Sequence, residues 1–276
     1  MSTDNTVVLN HLGRITVSGN DAADFLHRQL TCATSTLKTG ELRYGSWCEP
    51  RGRVICDLLI GRDQDGLQLI MAGDQCQPVL DGLRRFVFRD AVVFSDAARF
   101  DIRGRWHDST AAGDNALPWD NQRSLHWEGD TGGQTPDSQN EALHDWQLAD
   151  LQCGVPWLQR SVSALFLPQM LGIDGLNAIN YEKGCYPGQE VIARTHYLGR
   201  VKRHRIYFSC HGAKHPPAPG ADIYNQNGEE AGTVVAVAGK DDVYHGLAVI
   251  GESFDHTDLH IGDHGHPTSL QLGEKQ

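Results

Sequence analysis

At 276 residues the chain is longer than one compact domain usually is, so two or three lobes sharing a sizeable core are expected. A formal net charge of −11 argues against broad attraction to nucleic acid or to an anionic membrane. Seven cysteines, Cys32, Cys48, Cys56, Cys76, Cys153, Cys185 and Cys210, are scattered without a C-x-x-C pair. That spacing writes neither a disulfide framework nor a complete zinc or iron–sulfur site, and reduced thiols are expected.

The opening MSTDNTVVLN has an early acid and lacks the basic start and apolar run of a signal peptide. No later stretch reaches the length of a membrane span, so a cytoplasmic protein with no membrane association is expected. Residues Thr6 to Val17 read as an entry strand. "SGNDAADFLHRQL" follows as a helix, with Asn20 as N-cap and Phe25, Leu26 and Leu30 on one buried face. "RVICDLLIG" and "LQLIMAG" read as a β-hairpin joined through an Asp/Gly turn at residues 62–66. A second helix has Pro78 in its first turn and Val79, Leu80, Leu83, Phe86 and Val87 at helical spacing, before the strand "AVVF".

From Gly104 to about His144 the apolar pattern weakens around "EGDTGGQTPDSQNE", which reads as a loop or linker. "NEALHDWQLADLQCGVP" returns to helical spacing through Leu143, Trp146, Leu148 and Leu151, and is ended by Gly154 and Pro156. After Arg200 the texture changes to "RIYFS", "ADIY", "GTVVAVA" and "VYHGLAVI" with Gly turns between, predicting a small antiparallel barrel. The boundary falls near Gly199, dividing the chain into residues 1–199 and 200–276.

The segment with most chemistry is "KGCYPGQE", residues 183–190. Lys183 beside Cys185 favours a thiolate, and the two glycines let the backbone turn sharply and present the sulfur. His196 is the nearest general base in sequence, and Arg194 is available to an anion. Three readings of Cys185 stand: a nucleophile, a ligand for metal or sulfur, or an inert turn residue. A basic island follows. Between Glu190 and Asp222 no acid occurs, while Arg194, Arg200, Lys202, Arg203, Arg205 and Lys214 fall in the window.

Other constellations carry less. His256, His260, His264 and His266 have H-x3-H spacing suited to a metal, but their Gly and Asp neighbours favour a solvated tail. Glu49, Arg51, Arg53 and Asp57 in "EPRGRVICDLL" would hold a polar heterocycle or form surface pairs. The chain has no G-x-G-x-x-G between strand and helix, no G-x-x-x-x-G-K-[ST] and no G-x-S-x-G. Dinucleotide binding, phosphate-loop hydrolysis and α/β-hydrolase chemistry therefore lose their sequence warrants.

"KGCYPGQEVIARTHYLGRVKR" resembles the K-G-C-[FY]-x-G-Q-E signature of the YgfZ-type folate-binding proteins, a branch of the aminomethyltransferase superfamily. "SGNDAADFLHRQLT", "CEPRGRVICDLLI", "LQCGVPWL" and "LPQMLGIDGLNAINYEKGCY" are similar to other parts of that family, leaving residues 101–145 poorly covered. "ARTHYLGRVKR" is especially similar to the mitochondrial relatives that act in iron–sulfur assembly. The resemblance implies an α+β fold: two interleaved α/β lobes forming a folate-binding body, plus a C-terminal antiparallel β-barrel. It implies tetrahydrofolate or a one-carbon derivative as cofactor, and a role in assembling or repairing iron–sulfur proteins, including radical enzymes that modify tRNA. By the same resemblance Cys185 is the functional thiol, held by Lys183, Gly184, Gly188, Gln189 and Glu190, and Trp146 matches an aromatic folate position. With Asp57 as carboxylate and Arg194 in the basic island, these residues would meet a flat pterin and an anionic tail.

The implied partners are reduced folate, iron–sulfur client or assembly proteins, and tRNA in a weak contact. The aminomethyltransferase carries paired aspartates where this chain has Cys56-Asp57, and an E-A-G turn where it has Gln152-Cys153-Gly154. Loss of both acids favours an accessory protein over a folate-dependent aminomethyl or one-carbon transferase, with Asp57 keeping the transferase reading open. A tRNA-binding module is the third class, to be recognised by salt-dependent affinity. One cysteine cannot complete a cluster, so ligation by Cys185 would need a partner chain or a small thiol.

Overall fold

The computed structural model describes residues 6–95, 102–107, 115–127, 139–213, 215–240, 243–254, 258–262 and 268–273. The body contains β1 (Thr6–Val8), β2 (Leu12–Ser18), α1 (Ala22–Gln29), β3 (Leu42–Cys48), β4 (Val54–Arg62), β5 (Leu67–Ala72), α2 (Cys76–Arg84) and β6 (Val93–Phe94). It continues with β7 (Ile102–Trp106), β8 (Ala116–Leu117), β9 (Asp120–Trp127), α3 (Gln139–Gln152), α4 (Pro168–Leu171) and α5 (Gln189–Leu198). The barrel strands are β10 (Arg203–His211), β11 (Asp222–Tyr224), β12 (Glu230–Lys240), β13 (Val243–Gly251), β14 (His260–Ile261) and β15 (Thr268–Leu272). The fold is α+β, with a five-stranded sheet in the order β3-β4-β5-β2-β6, a four-stranded sheet β1-β7-β9-β8, and a closed antiparallel barrel β10-β13-β12-β11-β14-β15.

Two-residue periodicity sorts β4 between two cores. Cys56, Leu58 and Ile60 pack with Phe25, Leu26, Val79 and Leu83 of the helices on one face, while Leu59 joins Trp146, Leu151 and Trp157 on the other; Val54, past the register shift opposite Trp47 and Cys48, breaks the alternation and joins that second core. With both faces covered, β4 and β5 read in sequence as nearly continuous apolar runs. The hairpin between them closes as the turn chemistry predicts: Asp63 N–H donates to Gly66 O at 3.0 Å, and the Asp63 carboxylate accepts from the Asp65 and Gly66 amides.

Three expectations need correction. The entry strand is two strands in different sheets, β1 against β7 and β2 against β5, reversing where Leu12 N–H donates to Leu9 O at 3.0 Å. Residues 9–12 contain neither Gly nor Pro, so no punctuation marks the break. The residue at the start of α1 is Asp21 rather than Asn20, and its carboxylate makes no cap, accepting instead from the Ala91 amide at 2.6 Å. The stretch from Gly104 onward is not wholly a loop, because β7, β8 and β9 build the second sheet there. Charged residues masked those strands, above all Arg123, which is buried only because carboxylates and indoles surround it.

In the barrel Ile206, Phe208, Cys210, Val234, Ala248 and Ile250 fill the interior. Ala236, Ala238, Leu247 and Val249 face outward into the core of the body, packed with Leu151 and Val155. The register shift between Val234 and Ala236 aims this part of β12 at α3. No helix among the described residues is long and apolar enough to cross a membrane.

Candidate functional site

The loop bearing Cys185 is built by hydrogen bonds that close it on itself. Asn180 Oδ1 accepts from the Glu182 and Lys183 amides at 2.9 and 3.0 Å, an Asx turn that starts the bend. Gln189 N–H donates to Tyr186 O at 3.2 Å, and Gln189 Nε2 reaches Lys183 O at 3.4 Å. Gly188 begins α5 with φ +82° and lies against Gly52; a Cβ on Gly188 would stand 2.6 Å from the Gly52 Cα and the Glu49 carbonyl oxygen. Only glycine permits both that backbone conformation and that approach.

Lys183 does something other than the sequence suggested. Its ammonium donates to Leu30 O at 2.6 Å, to Cys32 O at 3.1 Å and to His27 O, capping the carbonyl end of α1. It also lies 5.0 Å over the Tyr186 ring, and burial pulls its pKa down to about 8. The lysine thus pins the loop to α1 rather than serving the thiol. Cys185 itself is exposed, whereas Cys32, Cys48, Cys56, Cys76 and Cys210 are buried and Cys153 half-buried, all unpaired. Glu190, in the first turn of α5, and Arg194 are exposed.

Next to this loop lies a cavity of about 760 Å³. Asn180, Tyr181 and Glu182, immediately before the motif, form part of its wall; Arg43, Tyr44, Pro118, Ile179 and Tyr197 line the rest. Tyr181 stacks on His196 with ring centres 4.0 Å apart, and Tyr197 abuts both rings edge-on. The buried Tyr181 hydroxyl and Gln169 Oε1 lack well-formed hydrogen-bond partners. Burial raises the Tyr181 pKa. These aromatic, amide and cationic groups have the composition that a small polar heterocycle requires.

Asp57 stands behind this wall. Tyr44 Oη donates to its Oδ2 at 2.6 Å and the Leu158 amide to its Oδ1 at 2.6 Å, so both oxygens are engaged and the side chain is sealed. Burial raises its pKa, opposed by those two donors, and burial together with the neighbouring carboxylate raises Tyr44 well above the usual phenol range. A T-shaped series runs from Tyr44 to Trp119 at 5.0 Å and on to Trp157 at 5.9 Å. Arg205 enters from the barrel, donating to Gly154 O at 2.7 Å and Leu171 O at 3.2 Å, with its pKa lowered by burial. A Cβ on Gly154 would meet this guanidinium at 2.2 Å.

Trp146 is the clearest correction at the site. It is 1 % exposed, pressed on Gly104, 5.5 Å from Trp106 and 4.6 Å from the Arg123 guanidinium, and it lines no part of the 760 Å³ cavity. Its spacing with Leu143 and Leu151 already marked it as a core residue. The basic island also divides: Arg205 is internal and Arg200 pairs with Glu252, while Lys214 lies outside the described residues. His256, His264 and His266 lie outside them too, and His260 sits on β14 with its ring 6.2 Å from Tyr224. Among the described residues no cluster of His, Cys, Asp or Glu has the makings of a metal site. The sequence reading missed Tyr44, Trp119, Tyr181 and Tyr197. Tyr181 had a usable signal, two residues before the motif; Trp119 lies in the stretch read as a loop.

Residues 6–98 match the family model described as the GCVT N-terminal domain. The tRNA-modifying protein YgfZ of Sodalis glossinidius is 25 % identical over 83 % of this chain and 79 % of its own length. Its counterpart in Cronobacter sakazakii is 28 % identical over 82 % and 78 %. The crystal structure of the glycine cleavage system aminomethyltransferase T from Bartonella henselae superposes with a TM-score of 0.63, covering 98 % of this chain and 84 % of that one at 15 % identity. The resemblance first seen around Cys185 is thereby borne out: residues 6–98 match the GCVT N-terminal domain model, the chain has the aminomethyltransferase fold, and it is similar along four fifths of its length to the YgfZ proteins.

Proposed function

We propose that the protein binds a reduced folate, tetrahydrofolate or a one-carbon derivative, in the cavity beside residues 180–182. In this reading it is an accessory protein for assembly or repair of iron–sulfur proteins, including tRNA-modifying radical enzymes, with residues 1–199 as the folate body and 200–276 as the barrel. The observation that carries it is the exposed Cys185 on a pinned loop whose preceding residues wall an aromatic cavity of about 760 Å³. The residues fit the group: Tyr44, Tyr181 and Tyr197 suit a flat pterin, Asn180 suits its hydrogen-bonding edge, and Arg43 suits an anionic tail. Bound there, a reduced folate supplies a reductant or one-carbon carrier. Lys183, Gly188 and Gln189 hold the loop in place, and Cys185 presents its sulfur to a client or to a small thiol. Glu190 and Arg194 stand exposed beside it as contacts for that client.

The burial of Asp57 favours this reading over transfer, because a carboxylate with no exposure, held by Tyr44 and the Leu158 amide, is out of a substrate's reach. The relatives' description as tRNA-modifying proteins supports a tRNA context, and Arg194, Lys202 and Arg203 are exposed for a weak contact. Titration with tetrahydrofolate should quench tryptophan fluorescence saturably, and Cys185→Ala should keep that binding yet fail to restore iron–sulfur enzyme activity in cells lacking the protein. No binding of any reduced folate, or full rescue by Cys185→Ala, overturns the proposal.

A further inference from the structure

Helix α5 has little core for its length. Of its ten residues only Ile192 is fully buried, and the helix is held by Gln169 Nε2 donating to the Ile192 carbonyl at 2.9 Å and by the stack of Tyr181 on His196. Helices in proteins owe most of their stability to a packed apolar face, and part of this one points at solvent. Leu198 is 86 % exposed and Tyr197 66 %, which makes Leu198 the most exposed large apolar side chain among the described residues.

The surroundings of this pair are cationic. Arg194 is exposed and lies three residues before Tyr197 and four before Leu198, spacings that put all three on one side of the helix. Lys202 and Arg203 follow just past the helix and are exposed as well, while Arg200 takes up Glu252. No acid occurs between Glu190 and Asp222, although the chain as a whole carries a net charge of −11. An apolar anchor with a cationic rim is complementary to an acidic surface that brings apolar side chains of its own.

The rim also decides between occupants. A second copy of the chain, docked face to face, would set cations against cations. RNA asks for a free aromatic platform, whereas the most exposed side chain here is aliphatic and Tyr197 is already packed against Tyr181 and His196. A polyanion would also meet the field of the whole chain, which a short acidic segment feels far less. The cations alone serve a weak tRNA contact; the apolar anchor calls for a protein. Helix α5 begins directly after the Cys185 loop and runs for about 15 Å, so a segment laid along it from Leu198 reaches the exposed thiol.

We propose that the face of α5 formed by Arg194, Tyr197 and Leu198, with Lys202 and Arg203 at its end, docks an acidic protein segment carrying an aliphatic or aromatic anchor. That the segment belongs to the client of Cys185 rests on the function proposed above; the docking itself does not. The test is to pan a displayed library of random dodecapeptides on the full chain and to titrate the synthesised consensus peptide by fluorescence anisotropy. The consensus should place two or more acids around a Leu, Ile or Phe, and its affinity should fall as salt rises. Leu198→Ser, at an exposed position, should weaken binding about tenfold, the loss expected of an interface anchor, while leaving the unfolding temperature unchanged. Lys202→Glu should weaken it several-fold, and Cys185→Ala should not change it. Absence of a consensus, a consensus without acids, unchanged affinity in folded Leu198→Ser and Lys202→Glu, or oligouridylate binding that Leu198→Ser abolishes overturns the proposal. Failure of folate binding or full rescue by Cys185→Ala bears on the function proposed above alone, since these titrations use neither folate nor the thiol.

Discussion

Tyr44 on β3 and Asp57 on β4 are joined by a 2.6 Å hydrogen bond across neighbouring strands, and the second carboxylate oxygen takes the Leu158 amide from the far side of the core. The pair ties the five-stranded sheet to the segment after α3, with the Asp57 carboxylate fully buried behind Tyr44. Tyr44→Phe removes one donor from a buried carboxylate and should destabilise the fold by roughly 1–3 kcal/mol, read as a lower urea midpoint. The pH dependence has a definite sign. Burial raises the folded-state pKa of Asp57, so folding takes up a proton between the unfolded and folded values, and stability falls as pH rises through the folded value. The phenol favours the ionised form, so the deficit of Tyr44→Phe should shrink as pH falls through that range. A deficit independent of pH would mean that the hydrogen bond contributes nothing to holding the charge.

Exposure separates Cys185 from the other thiols. Burial pushes Cys32 to about 11 and Cys48 to about 12, and both are shut from solvent. An aromatic disulfide reagent should therefore modify one thiol per folded chain quickly, with Cys153 following slowly and the buried five only on unfolding. Cys185→Ser should remove the fast phase and nothing else. Persistence of that phase in the variant would assign it to another cysteine.

Gly188 carries the loop's geometry in its backbone. Gly188→Ala combines a left-handed φ with a contact 2.6 Å from Gly52 Cα, and should cost at least about 2 kcal/mol, since the strain and the overlap add. Gly184, where a Cβ meets nothing within 4 Å, is the matched control: Gly184→Ala should be nearly neutral in thermal unfolding. If both variants melt alike, the close approach of Gly188 to Gly52 is not what shapes the loop.

His11 gives the fold an acid-sensitive element. Its pKa is lowered from 6.5 to about 4 by burial, so the unfolded chain binds the proton first as pH falls. Stability contributed by the neutral imidazole is fully present above the unfolded value and is lost between about pH 6.5 and 4, by at most roughly 3 kcal/mol. His11→Phe should flatten this part of the stability profile, measured by urea unfolding across the range. An unchanged slope would place the titration elsewhere.

What was legible in the sequence was local. The hairpin at Asp63–Gly66, the buried faces of α1 and α2 and the alternating barrel strands each follow from turn chemistry or periodicity within a few residues. The second sheet was not legible. Its strand β9 carries Arg123, whose burial depends on Asp150 and Trp146 from a later helix. The site divided in the same way: the motif marked Cys185 and its bend, but its own residues do not line the cavity. The walls come from β3 and, more than a hundred residues later, from the start of the Cys185 loop and α5.

Near-neighbour order alone therefore determined the β4–β5 hairpin, the buried faces of α1 and α2, the barrel strands and the glycine-hinged thiol, because backbone preference and side-chain period act between near neighbours. Tertiary structure alone decided that Lys183 caps α1 instead of serving Cys185, that Asp57 is sealed behind Tyr44, and that Trp146 belongs to the core. Each of those outcomes depends on a partner contributed by a distant element, and desolvation and pairing take effect only once packing brings the two together.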